Sequence, residues 1–505
     1  MPRLAVLVSA AVLLAGPTVL AFFAGGYFDG PRATAAAIAW GVVLLLAVAG
    51  PVPLPASRSG RVAVAALAAL AAWSAISLAW APLLGPALDA VERLLLYTAV
   101  LLAAIAVLRD PRTARAVEPV LALGTLVVIG YGLSGRLLPS VIDLLSARSY
   151  GAAGRLEQPI TYWNGEGLLA GLGVLLCVRL AGDRSRSGPM RAAAAAACAP
   201  LGAGVYLSYS RGALAVTVLG LIVLLAAAPT WPQLRAAVTG LVAGATAAAC
   251  ASAFPGVASL SGTAAEQRRD GAIVLVALLA VMALAALVML RSIAAERSGA
   301  ARISWLPNAR RLPAIAVVAA ALCVAGLVGG GLAENAQGSE SAAPTASRYA
   351  SVSSVRYEYW RVGALAFTRE PVHGLGAGGF RVFWREERRI PYSVTEVHSL
   401  PLEMAAELGL PGLLLFMALV GGIAMAGIQA LRQGAPLAPG AVAVCVAWLL
   451  HATIDWDWQL PAVTLPAIVL AGGLLAASEK RLPGLPDEWL AAQPREEEPV
   501  TAVAR

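Results

Sequence analysis

The chain has 505 residues, 59% hydrophobic and 13% charged, with a formal net charge of +8 and a mean hydropathy of +0.76. A soluble domain of ordinary composition carries about 25% charged residues, so this length at this hydropathy excludes a soluble globular protein and points to a chain that sits mostly in lipid. Lys480 is the one lysine among 37 basic residues; the bias toward Arg, Ala, Gly and Pro fits a GC-rich bacterial genome and not a nucleic-acid-binding surface.

A membrane span needs about 20 apolar residues, and fourteen candidates follow one another along the chain. They lie near 4–24, 33–50, 62–81, 93–108, 116–135, 165–182, 191–207, 212–228, 236–254, 272–290, 312–332, 402–428, 438–454 and 462–478. The first follows Met-Pro-Arg and could pass for a signal peptide, but with so many spans behind it we read it as an uncleaved helix. Cys177, Cys198, Cys250, Cys323 and Cys445 all lie in apolar runs without a C-x-x-C pair. They therefore suggest small packing residues, not a disulfide framework or a zinc site.

Arginine placement sets the orientation. With the N-terminus inside, the inner short loops carry Arg58, Arg61, Arg109, Arg112, Arg115, Arg179, Arg184, Arg186, Arg191 and the Arg291–Arg311 group, and the outer ones are poorer. Both termini are then cytoplasmic. The expected domain organisation is a membrane domain over 1–480 with external loops near 136–164 and 333–401, and a disordered Pro- and Glu-rich tail over 481–505. The spans carry almost no charge near their centres, which disfavours an ion-coupled transporter.

Polar residues concentrate outside. Ser208-Tyr209-Ser210-Arg211-Gly212 places Arg211 at the start of the eighth span, where free N–H groups and the positive dipole end favour an anion; a snorkelling interfacial arginine is the alternative. Ser354 through Phe367 reads as a helix stopped by Pro371, with Arg356 and Trp360 on one face. It is either a phosphate-holding element or a surface helix in which Glu358 pairs with the arginines. Gly374-Leu375-Gly376-Ala377-Gly378-Gly379 contains a G-x-G-x-x-G string, but without a preceding strand it is no dinucleotide fingerprint. It reads as a tight turn whose N–H groups could at most face an anion. Val397-His398-Ser399 opens the twelfth span, followed by Glu403 and Glu407. His398 is a candidate proton acceptor near neutral pH or a structural histidine at a helix start. Asp455-Trp456-Asp457-Trp458 reads as a capping, interfacial turn in the aromatic belt in preference to a Mg²⁺ or Mn²⁺ site.

In order along the chain, the Ser-x-Ser-Arg-Gly-Ala stretch, the Arg-x-x-x-Trp helix, the glycine loop and the His-Ser…Glu-x-Gly helix resemble the O-antigen ligase and O-antigen polymerase superfamily. Tyr162-Trp163-Asn164 resembles its upstream aromatic-Asn motif, and the resemblance spans roughly 160–460. It implies an all-α polytopic GT-C-type glycosyltransferase with one large external loop between spans 11 and 12. It further implies an undecaprenyl-diphosphate-linked glycan as donor, and no cofactor or metal. On it, Arg211 and Arg356 hold the diphosphate and His398 activates the acceptor hydroxyl, by one inverting displacement. Asn164, Arg361 and Glu407 are lesser substrate-binding candidates, Arg361 as a substitute for Arg356 if the helix is rotated. The expected partners are that donor, a glycan, lipid or cell-wall acceptor, and the bilayer, with no nucleic acid. Two departures, fourteen spans instead of the twelve common in ligases and Ser399 where ligases often have Asn, leave ligase and polymerase both open. A GT-C enzyme using a polyprenyl-monophosphate sugar and a fourteen-span lipid-linked glycan transporter are the competing readings.

Overall fold

The computed structural model describes residues 2–144, 150–297 and 355–479, and these are helical without a strand. The helices are α1 (Pro2–Ala21), α2 (Asp29–Ala49), α3 (Arg58–Ile76), α4 (Leu84–Val107), α5 (Pro111–Leu137), α6 (Trp163–Gly182), α7 (Gly188–Leu207) and α8 (Arg211–Ala227). They continue with α9 (Trp231–Ser252), the one-turn α10 (Pro255–Ala258), α11 (Ala264–Arg297), α12 (Arg356–Arg369), α13 (Phe380–Glu387), α14 (Leu400–Arg432), α15 (Ala438–Ala452) and α16 (Pro461–Ala477). Ten are long and apolar enough to cross a membrane, and α8, α15 and α16 are shorter apolar helices. These helices occupy thirteen of the fourteen expected span positions. The eleventh, 312–332, lies outside the described residues, as do Cys323, the tail 481–505 and the large loop up to 354. The short candidate at 93–108 is the second half of a 24-residue helix that begins at Leu84, where Arg93 and other polar residues had hidden the first turns.

Local chemistry sets the helix starts. Asp110 accepts from the Thr113 N–H at 2.8 Å with Pro111 in the first turn, Ser57 accepts from Gly60, and Thr230 accepts from Gln233. Helix α6 is buried from Asn164 through Gly182 and is packed by α5, α7, α8, α9 and α15. Small residues allow that approach: Gly171 faces Thr217, Gly173 faces Thr125, and Gly202 of α7 lies against Gly244 of α9. Arg186 pairs with Glu118 at 3.2 Å and Arg191 with Glu296 at 3.1 Å, both at the end of α6 away from Trp163.

Helix α14 is broken at Gly409, whose φ of 64° leaves the right-handed region. Pro411 has no N–H for the carbonyl of Glu407 four residues earlier, so a straight helix would leave that oxygen unsatisfied. The glycine loop supplies the missing donors. Gly376 N–H reaches Glu407 O at 2.8 Å and Leu375 N–H reaches Ala406 O at 3.0 Å, while Leu410 N–H turns to Pro371 O. The Glu407 carboxylate accepts from Gly378 N–H at 2.8 Å and Phe380 N–H at 3.2 Å. Within the string, the Gly378 N–H thus faces a buried acid of the protein itself, the Glu407 side chain, while Leu375 and Gly376 N–H serve backbone carbonyls.

Gly374 (φ +69°) sits against this break, and a methyl there would fall 2.4 Å from the Glu407 carbonyl. Gly374→Ala should destabilise the protein by about 1–3 kcal/mol, whereas Gly421→Ala, with nothing within 4 Å of the added carbon, should leave it unchanged. Thermal unfolding of both variants in detergent checks this; equal midpoints would contradict it.

Candidate functional site

Segments far apart in sequence meet at the Trp163 end of α6, around a cavity of about 420 Å³. The loop before α6 contributes Arg155 and Tyr162, and the start of α6 Trp163 and Asn164; the α7–α8 turn contributes Tyr209 and Ser210, and the start of α8 Arg211; α12 contributes Arg356 and Tyr359. Glu396 and His398 come from the segment before α14, and Trp456 from the turn between α15 and α16.

The centre of this assembly is Asp455, 1% exposed. A buried carboxylate is tolerated only when hydrogen-bonded and charge-paired. Asp455 accepts from the Tyr162 hydroxyl at 2.6 Å and the Trp456 N–H at 2.9 Å, and the Arg356 guanidinium donates to its other oxygen. Asn164 in turn donates to the Tyr162 oxygen at 2.7 Å. Burial alone would raise the Asp455 carboxyl, but Arg356, with His451, His398 and the Tyr162 hydroxyl, holds it below the ordinary carboxylate range. Burial, reinforced by the Asp455 charge, pushes the Tyr162 hydroxyl well up, so it stays a donor. Arg356 keeps 22% of its side chain exposed, enough to reach a ligand while bound to Asp455.

Arg211 is the first residue of α8, behind Ser210, whose hydroxyl caps Ala213 N–H at 3.2 Å. The guanidinium therefore lies at a helix N-terminus, where backbone and side chain both favour an anion. Arg155 lies over the Trp163 ring, 4.7 Å from its centroid.

His398 has φ +58°, Tyr209, which also lines the cavity, has φ +50°, and Thr161, next to Tyr162, has φ +65°. Non-glycine residues in this region are strained, and such strain collects at functional sites. Trp360 holds the bend by donating its indole N–H to the His398 carbonyl at 3.0 Å, and Tyr359 packs on the imidazole with centroids 5.0 Å apart. His398 Nδ1 lies 3.0 Å from the Glu396 carbonyl oxygen, which can only accept. Nδ1 therefore carries the proton and the neutral ring keeps its lone pair on Nε2. Burial, opposed by the Asp455 charge and aided by that of Arg356, brings the His398 pKa down to about 4. The ring is neutral at pH 7 and able to take a proton. Burial raises the Glu396 carboxyl, with Arg93 and Arg381 opposing.

The structure thus gathers Asn164, Arg211, Arg356 and His398 at one cavity. It does not bring Arg361 or Glu407 there. Arg361 points along another face of α12, to Glu358 at 2.8 Å and to the Glu387 carbonyl at 2.7 Å; Glu407 is occupied by the glycine loop. Sequence reasoning missed Arg155 and Glu396 as lining residues, since neither has a motif spacing to mark it. It also read Asp455 as a capping turn, because nothing in Asp-x-Asp shows that Arg356, 99 residues earlier, is its partner. Asp455 and Asp457 serve different neighbours, Asp457 binding His451 at 2.6 Å.

Two outcomes follow. The lowered His398 pKa means folding favours the neutral ring. Its contribution is complete above pH 6.5 and is lost as pH falls through about 4. NMR titration of labelled histidine should find a midpoint near 4; one near 6.5 would contradict the burial argument. Asp455→Ala leaves a guanidinium without its carboxylate and should cost about 3–5 kcal/mol, read by thermal unfolding; an unchanged midpoint would show the pair to be dispensable.

Residues 257–417 match the family model described as O-antigen ligase, a match that supports the O-antigen ligase and polymerase superfamily. The matched stretch contains Arg356, Arg361, His398 and Glu407, and leaves Asn164, Arg211 and Asp455 outside it. No curated protein matches the chain.

Proposed function

We propose that this protein belongs to the O-antigen ligase and polymerase superfamily and transfers a glycan from an undecaprenyl-diphosphate-linked donor to an acceptor hydroxyl on the external face of the bacterial plasma membrane. The observation that carries the reading is the pairing, in one cavity, of Arg211 and the Asp455-anchored Arg356 with a neutral histidine whose Nε2 lone pair is available. The lipid tail would lie among fourteen spans with both termini in the cytoplasm. The arginines clustered at the far end of α6 support that orientation, since short cytoplasmic loops collect them.

The chemistry follows from the residues. Arg211 and Arg356 bind the diphosphate, and they stay protonated and offer two nitrogens to two oxygens. The acceptor oxygen attacks the anomeric carbon from the face opposite the diphosphate. As the new carbon–oxygen bond forms, the anomeric carbon–phosphate oxygen bond breaks and the lipid diphosphate leaves with the electron pair. The acceptor proton passes to His398 Nε2. A single displacement inverts the anomeric configuration. Charge building on the leaving diphosphate is met by guanidiniums already in place. Asn164 takes part through Tyr162 and Asp455, which fix Arg356.

The test is transfer in a deletion strain complemented with wild type or variant at matched protein levels. Surface glycan and external lipid-linked glycan are read together. His398→Ala should lower transfer by about 10²–10⁴-fold, and Arg211→Ala and Arg356→Ala by about 10²-fold or more, each with lipid-linked glycan accumulating outside. Arg356→Lys should retain the charge that Asp455 needs yet remain impaired, because it lacks the fork. Variants that transfer normally, or that strand glycan inside, would overturn the reading in favour of transport.

A further inference from the structure

The reaction needs a donor sugar and an acceptor hydroxyl in the cavity, and the arginines account for only the diphosphate. Among the described residues lining the cavity, three are guanidinium-bearing (Arg155, Arg211 and Arg356) and one is a carboxylate, Glu396. A carboxylate repels a diphosphate, so the polyanion belongs with the arginines and away from Glu396. Glu396 is fixed in place: its Oε2 accepts from Gln459 Nε2 at 3.1 Å, and its Oε1 lies 3.5 Å from Arg381. A carboxylate offers about four acceptor positions, so two neighbours leave capacity for a ligand. It stands two residues before His398, and its own backbone carbonyl sets the histidine tautomer. A hydroxyl bound by Glu396 would thus sit in the same cavity as the group that takes its proton. Trp456 lines the same cavity, with its ring 6.3 Å from the His398 ring and held by Tyr162 and Tyr27. An indole face suits the apolar C–H face of a pyranose, and a carboxylate suits its hydroxyls through charge-assisted bonds.

We propose that Glu396 and Trp456 form the subsite for the acceptor sugar, with Glu396 accepting hydrogen bonds from its hydroxyls, and that this subsite selects a neutral acceptor ring over a uronic acid. The inference rests on the transfer reading above. It deepens that reading by assigning the acceptor side of the cavity and the chemical class that fits it. A sugar carboxylate placed against Glu396 would meet like charge at close range, whereas a hydroxyl would gain a charge-assisted bond.

The test uses the purified full-length protein in lipid nanodiscs, with undecaprenyl diphosphate as the binding probe. Membranes of the deletion strain supply both substrates for transfer. Glu396→Ala should bind undecaprenyl diphosphate within about 2-fold of wild type and lose transfer by about 10²-fold or more, the scale expected when a substrate hydroxyl loses its partner. Glu396→Gln still accepts a hydrogen bond without the charge. It should retain part of the activity, and the deficit should shrink as acceptor membranes are added. Methyl glucoside should compete with transfer by wild type and methyl glucuronide should not, and Glu396→Gln should narrow that difference. A purely structural Glu396 would not alter the competitor preference. Wild-type transfer by both Glu396 variants, or equal competition by the two glycosides against wild type, would overturn the inference. If Glu396→Ala loses probe binding through misfolding, the competition experiment on wild type and Glu396→Gln decides alone. A wild-type protein that does not bind undecaprenyl diphosphate, or an Arg356→Ala variant that binds it equally well, would overturn the transfer reading itself and is read in a separate arm.

Discussion

The cavity depends on one buried carboxylate. Asp455 cannot remain charged in the interior without donors, and the donors it recruits are Tyr162, Trp456 and Arg356. Those residues come from the loop before α6, the turn after α15 and the first turn of α12. A single electrostatic requirement therefore ties three distant stretches to one point. It also fixes a guanidinium, which would otherwise be a flexible side chain, at the wall of the cavity. The entropy of holding an arginine is met during folding, before any ligand arrives.

A second device positions the histidine. Pro411 and Gly409 interrupt α14, and the glycine loop fills the break with its own N–H groups. Glu407 locks that loop in place. The loop lies between α12 and α14, so the helix bearing Arg356 and the helix introduced by His398 are joined by backbone hydrogen bonds and not by side-chain packing alone. Trp360 adds a direct tie from α12 to the His398 carbonyl. Together these contacts stabilise a left-handed backbone at His398 that an isolated segment would not adopt.

The membrane architecture was legible in the sequence because hydropathy over 20 residues is a strong signal that tertiary packing does not alter. Arg211, Arg356 and His398 were legible because each sits at a helix start with a recognisable neighbour. Helical periodicity placed Arg356 and Trp360 on one face, and both reach the site. It could not give the rotation of α12 about its own axis, which is why Arg361 stood as a substitute for Arg356 yet turns to Glu358 and Glu387. Glu407 stood as a lesser substrate-binding candidate, because the need for it arises from the break at Gly409, which shows only in three dimensions. Asp455, Arg155 and Glu396 owe their places to long-range contacts that no local pattern encodes.

The most direct test of the account is a single-turnover reaction of the purified protein with an undecaprenyl-diphosphate-linked glycan and its acceptor. Released lipid diphosphate and the anomeric configuration of the new linkage would be measured together. The account predicts one undecaprenyl diphosphate released per glycosidic bond formed, with the configuration inverted. Retained configuration would contradict the single displacement assisted by His398, and glycan movement without release of lipid diphosphate would contradict transfer altogether.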